Sequence, residues 1–211
     1  MSTLEQISEF LQQGRAKNVQ ELVGQALTEG ATPADILNQG LLAGMAVIGA
    51  KFKANEVYVP DVLIASRAMN AGMELLKPHL VSSDIKPVGK VLLGTVEGDL
   101  HDIGKNLVKI MLQGTGFDVV DLGVDVSADK FVAKIREEHP RFVAMSALLT
   151  TTMTNMEKVV KAIEKEGLRD QVIIMVGGAP LTANFAQSIG ADIYAPDAAS
   201  AADAAKERVV H

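Results

Sequence analysis

The chain has 211 residues, 48% of them hydrophobic and only 4% aromatic, with neither cysteine nor tryptophan and a formal net charge of −6. A chain of this make-up can bury a core of Val, Leu, Ile, Met and Ala, as one larger domain or two small ones, which argues against disorder. The acidic balance argues against a broad nucleic-acid face, and the lack of cysteine excludes disulfides, thiolate catalysis and Cys-ligated zinc or iron–sulfur centres.

The opening MSTLEQISEF lacks a basic region followed by an apolar run and does not read as a secretory signal. No stretch approaches the roughly 20 apolar residues of a membrane span, so the expected location is the cytoplasm, with no membrane partner. In chain order, Leu4, Ile7 and Leu11 share one helical face, and Val19, Leu22, Val23, Ala26 and Leu27 repeat the spacing. Gly14 and Gly30 stand where the chain leaves each helix. Thr32-Pro33 reads as an N-cap with Pro at the first helical position, opening a third helix through Leu37, Leu41, Met45 and Ile48. Pro60-Asp61 opens a fourth, carrying Leu63, Ile64, Met69, Met73 and Leu76. Four helices with short connections predict a small bundle over residues 1–82. The polar stretch 81–89 contains a Pro and a Gly, which places a linker at 83–88 and a second domain at 89–211.

In that second domain short apolar runs alternate with helical patterns. The runs are Val91–Leu93, Val119-Val120, Phe142–Met145, Val172–Val176 and Ile193–Ala195; helices are predicted near 104–114, 127–138, 154–166, 182–189 and 199–209. The alternation predicts a doubly wound, flavodoxin-like parallel sheet of five strands. Such sheets bind ligands beyond the carboxyl ends of their strands.

The segment Glu97-Gly98-Asp99-Leu100-His101-Asp102-Ile103-Gly104-Lys105-Asn106 follows the first strand and opens a helix. It is not a dinucleotide fingerprint, because G-x-G-x-x-G is absent, and it is a poor phosphate loop, because acidic side chains repel phosphate. A neutral imidazole is a common metal ligand, and its second ring N–H is usually given to a carboxylate or carbonyl. Asp99 lies two residues from His101, and Asp102 is a weaker candidate for that role. His79, His139 and His211 belong to no ligand-spaced motif, so a zinc site with about three further ligands is not in view. One protein ligand suits a metal already held by a macrocycle. Read alone, His101 is more often a solvated loop residue, Gly177-Gly178 an ordinary turn and Ser146 a strand-end hydroxyl.

Asp99-x-His101-x-x-Gly104, then Ser146-Ala147-Leu148 after 41 intervening residues, then Gly177-Gly178 after 28 more, resembles the signature of cobalamin-binding domains of the methionine synthase type. The resemblance covers essentially the whole chain. In size and layout the chain is most similar to the stand-alone corrinoid proteins of anaerobic methyltransferase systems. The resemblance implies cobalamin or a related corrinoid, bound with its lower base displaced and His101 on the cobalt. Asp99 would accept the other imidazole N–H, and Ser146 would extend that network. Gly177, Gly178 and Ala198 would line the slot for the displaced base, with Leu148 part of the signature and Thr150 a polar contact. Gly98, Asp102 and Gly104 would meet the corrin, while Phe52 and Val59 match the cap positions of the helical domain. A family Glu in the third helix is Asn38 here, and that contact is not carried over.

The same resemblance implies a carrier with no catalytic residues of its own, its methyl group riding on cobalt. The implied partners are a substrate-specific methyltransferase, a second methyltransferase linked to tetrahydrofolate or a thiol, and a reductive activase. The chief alternative is a cobalamin-dependent sensor, which the absence of a basic DNA-binding segment disfavours. A phosphoacceptor receiver is disfavoured because residues 142–149 contain no Asp.

Overall fold

The structure, a computed structural model, describes residues 1–83 and 85–210. Asp84, within the expected linker, and His211 lie outside the described residues. The chain divides into two compact units, one of Met1–Pro87 with Gly114–Gly116, the other of Val88–Gln113 and the chain from Phe117 onward. Among the described residues no helix is long and apolar enough to cross a membrane.

The first unit is helical. Helix α1 (Thr3–Gln12) begins with a capping box between Ser2 and Glu5, and α2 spans Ala16–Thr28. Gly14 and Gly30, at φ of 69° and 87°, take the left-handed turns that follow them. Thr32 caps the third rod as expected, accepting the Asp35 N–H at 3.1 Å ahead of Pro33. That rod is not uniform: α3 (Pro33–Asp35) passes into a π-helical segment, Ile36–Leu42, before α4 (Ala43–Lys53). Helix α5 (Val59–Ser82) runs on past Pro78, so Val81 and Ser82 are helical although they opened the polar stretch. Ile7, Leu11, Val19, Val23, Ile36, Leu41 and Leu76 are fully buried and form the core of this bundle. Gly72 lets α5 approach closely, since a Cβ there would lie 2.8 Å from Leu41 and 3.1 Å from Val19.

The second unit holds five strands among the described residues: β1 (Lys90–Thr95), β2 (Asp118–Asp121), β3 (Phe142–Ser146), β4 (Ile173–Gly177) and β5 (Ile193–Ala195). All pair in parallel, in the order β2-β1-β3-β4-β5. This is the flavodoxin-like doubly wound arrangement, whose topological switch lies between β1 and β3. The crossovers are α6 (Ile103–Gly114), α7 (Ala128–Glu138), α8 (Thr150–Lys165) and α9 (Ala183–Ser188), and α10 (Ala198–Val210) closes the unit. A central core of Leu92, Phe131, Val143, Met156 and Ile174 fixes the sheet against its helices. Helix α8 starts four residues before the expected 154. Its first turn is Thr150-Thr151-Thr152, whose β-branched side chains lower helix propensity and mask the start in the sequence. Both loops of interest, after β1 and after β3, therefore emerge at the switch point.

Candidate functional site

Asp99 is the hub. It is fully buried, and each of its carboxylate oxygens is occupied. Oδ1 accepts the His101 backbone N–H at 3.0 Å and lies 2.7 Å from His101 Nδ1. Oδ2 accepts the Leu148 N–H at 2.8 Å, the Thr152 hydroxyl at 2.7 Å and, more distantly, the Leu149 N–H at 3.4 Å. Burial alone pushes the Asp99 carboxyl up. The bonds from Leu148, Thr152 and His101 outweigh it and hold the group well below the usual carboxylate range.

A carboxylate only accepts, so His101 Nδ1 is the donor and the lone pair of a neutral ring sits on Nε2. The His101 side chain is 50% exposed, on the loop that follows the carboxyl end of β1, which is the binding end of such a sheet. Asp102 does not compete for this role: its carbonyl accepts the Asn106 N–H at 2.7 Å and its carboxylate the Asn106 side chain at 3.2 Å, which starts α6.

The three motifs read from the sequence meet here. Asp99 ties the β1 loop to the β3 loop through Leu148. Gly178, at φ 142°, packs so tightly on the Ala147 backbone that a Cβ would collide with the Ala147 carbonyl oxygen. Gly177, at the end of β4, is less confined, with the carbonyl oxygen of Ala195 on the neighbouring β5 3.0 Å from where its Cβ would stand. The need for glycine at 178 thus arises from close packing on the Ala147 backbone within the unit. Ser146 ends β3 in register with Thr95 and Gly177. Thr152, six residues on and 6% exposed, donates its hydroxyl to the Asp99 carboxylate from the first turn of α8.

Gly98, at φ 80°, turns the β1 loop, and Gly104 has open space where a Cβ would project. Thr150 is exposed at the start of α8, and Ala198 is buried at the start of α10. Phe52 and Val59, both partly buried, belong to the helical unit. Sequence reasoning missed Thr152, Thr95, Asp125 and Asn155. The Thr95 hydroxyl donates to the His101 carbonyl at 2.9 Å, and Asn155 donates to the Glu97 carbonyl at 2.7 Å.

The donor set fits a macrocycle-bound metal. Among the described residues no three of His, Cys, Asp and Glu are grouped to hold an ion by themselves. His101 instead offers one oriented nitrogen. Leu100, Ile103, Leu148 and Leu149 stand exposed on the same two loops, at 72%, 73%, 43% and 43%. Exposed apolar side chains around a single imidazole suit a flat, largely apolar ring.

A flavodoxin-like sheet with a carboxylate-held histidine at its switch point, together with a helical unit, defines a cobalamin-binding protein. The chain belongs to the B12-binding domain family: the family model "B12 binding domain" matches residues 89–206, and a second of the same description matches residues 3–77. It is 45% identical over 180 residues to trimethylamine corrinoid protein 1 of Methanosarcina acetivorans, covering 84% of this chain and 83% of that protein. Dimethylamine corrinoid protein 3 of the same organism is 40% identical over 204 residues, covering 97% and 95%. Among solved structures, the methanol:cobalamin methyltransferase complex MtaBC of Methanosarcina barkeri matches with a TM-score of 0.87 at 30% identity, over 97% of this chain and 78% of that one. A cobalamin-binding protein of Desulfitobacterium hafniense matches with a TM-score of 0.81 at 31% identity, over 99% and 98%. Cobalamin or a related corrinoid is the cofactor.

Proposed function

We propose that this protein carries a methyl group on the cobalt of its corrinoid, taking it from one methyltransferase and giving it to another. The observation that carries the reading is the Asp99–His101 pair, in which a buried carboxylate holds Nδ1 of a half-exposed imidazole on the loop that follows β1. When bound, the corrinoid supplies a cobalt that accepts a methyl group from a donor and releases it to a nucleophile. His101 Nε2 would hold the cobalt. Asp99 keeps the imidazole proton on Nδ1, and Thr152 with the Leu148 N–H keeps Asp99 ionised. Gly98, Asp102, Gly104, Leu148 and Thr150 are proposed as contacts to the ring and its amides. Ser146 is proposed to extend the His–Asp network, Gly177, Gly178 and Ala198 to line the slot for the displaced base, and Phe52 and Val59 as further cofactor contacts.

Methylamine corrinoid proteins among the relatives and a methanol methyltransferase complex among the structures support a methyltransferase as partner. The acceptor side, a second methyltransferase serving tetrahydrofolate or a thiol, and a reductive activase that restores the cobalt are part of the proposal. The test is methylation of the bound, reduced corrinoid by the trimethylamine, dimethylamine and methanol methyltransferases of those relatives, each with its substrate and followed by absorbance. Methylation with at least one is expected. Failure with all three, while each methylates its own corrinoid protein, would speak against the reading.

A further inference from the structure

The β1 loop is held from outside at nearly every peptide. Asn155 bonds the Glu97 carbonyl and Thr95 the His101 carbonyl. Between them stands Asp125, in the loop between β2 and α7. Its carboxylate Oδ1 accepts the Gly98 N–H at 2.7 Å, and its own N–H donates to the Asp99 carbonyl at 3.0 Å. The residue thus clasps the Gly98-Asp99 segment on both sides. It does so at φ 53°, a left-handed conformation that disfavours side chains other than glycine, asparagine and aspartate. Asp125 is exposed, so its side chain adds nothing to a core. The next residue is fixed to the sheet, with the Val126 N–H on the Thr95 carbonyl at 3.0 Å, so Asp125 is itself held by a rigid support. A backbone conformation of this kind persists where the surrounding structure requires it, and such positions cluster at functional sites.

We propose that Asp125 is a positioning residue for the cobalt ligand: through Gly98 and the Asp99 backbone it sets the Asp99 carboxylate, and through that carboxylate the direction of His101 Nε2. The proposal rests on His101 being the ligand. Without the clasp the Gly98-Asp99 segment gains freedom, Asp99 no longer meets Nδ1 at one geometry, and the imidazole is offered in several directions.

Three variants test this, loaded with hydroxocobalamin beside wild type: His101→Ala, Asp125→Gly and Asp125→Asn. Glycine suits the left-handed backbone and removes the carboxylate, whereas asparagine keeps an oxygen for the Gly98 N–H and tolerates the same backbone. Asp125→Gly is expected to bind the cofactor about 10–100-fold more weakly, the range seen when the partner of a metal ligand is removed. Its absorption spectrum should move toward that of His101→Ala. Asp125→Asn should stay with wild type in both. In the cofactor-free protein the Gly98 amide should exchange with solvent faster in Asp125→Gly than in Asp125→Asn, a readout independent of cobalt. A wild-type spectrum and affinity in Asp125→Gly, or an Asp125→Asn that behaves like Asp125→Gly, would overturn the proposal alone, provided wild type and His101→Ala differ. If wild type and His101→Ala share one spectrum, the ligand assignment fails and takes this proposal with it.

Discussion

Replacing Thr152 with Val removes one hydroxyl from a buried carboxylate and changes the shape of the side chain very little. The lost bond, at 2.7 Å, is made to a charged acceptor, a kind that contributes about 1.5–3 kcal/mol. The added methyl group returns about 0.8 kcal/mol through burial. The net loss is about 1–2 kcal/mol, which lowers Tm by about 2–8 °C for a domain of this size. Urea unfolding of wild type, Thr152→Val and Thr152→Ser at several pH values measures it, and Thr152→Ser should stay near wild type. The sign with pH follows from Asp99. Its carboxyl is depressed in the folded protein, so its stabilisation is present above the unfolded value of about 3.9 and fades as pH falls toward the folded value. The Thr152→Val carboxyl, with one donor fewer, protonates at a higher pH than that of wild type, so the gap between the proteins is full down to the folded pKa of the variant and narrows only below it. No loss at pH 7 would refute the role given to the Thr152 hydroxyl.

Lys105, 3% exposed, bonds both oxygens of Asp121 at 2.8 Å, tying the start of α6 to the end of β2. Lys105→Met should cost about 3 kcal/mol, at the low end for a broken buried pair because Lys109 and the Gly123 N–H still meet Asp121. Urea unfolding measures this, and adding Asp121→Leu should restore part of the loss; a single variant within 1 kcal/mol of wild type on the order-of-magnitude scale of such pairs would contradict it. Burial raises the Asp121 carboxyl, but Lys105, Gly123 and Lys109 together lower it. Its stabilisation is therefore full above the ordinary carboxylate pKa and is lost on acidification, so the Lys105→Met effect should shrink at low pH. Gly178→Ala drives a Cβ into the Ala147 carbonyl and should cost about 3 kcal/mol or more, read by thermal unfolding. A loss below about 1 kcal/mol would show that the two loops yield easily.

Much of the second unit is legible because its strands are apolar runs between turn residues, and buried parallel strands need little else. The His101 motif is legible for a related reason: the ligand, its orienting carboxylate and the glycine that follows lie within six residues of one loop. What escapes a reading of the sequence is long-range or conformational. Asp125 reaches Gly98 from 27 positions away, and nothing local marks it as a partner of the β1 loop. Thr152 hides in a run of three threonines whose branching argues against the helix they begin. In the helical unit the periodicity through Leu37, Leu41 and Met45 gives a rod, but it does not distinguish the π-helical turn at Ile36–Leu42 from ordinary helix. The glycine at 178 is explained by the Ala147 backbone, a contact that only the folded chain reveals.

The central claim is that His101 ligates the cobalt of a bound corrinoid. Its most direct measurement is the visible spectrum of wild type and His101→Ala after loading with hydroxocobalamin and desalting. Cofactor retained by wild type, with a cobalt(III) spectrum that changes when His101 is removed, is the predicted result. The same spectrum in both proteins, or a folded wild type that keeps no corrinoid, would contradict it.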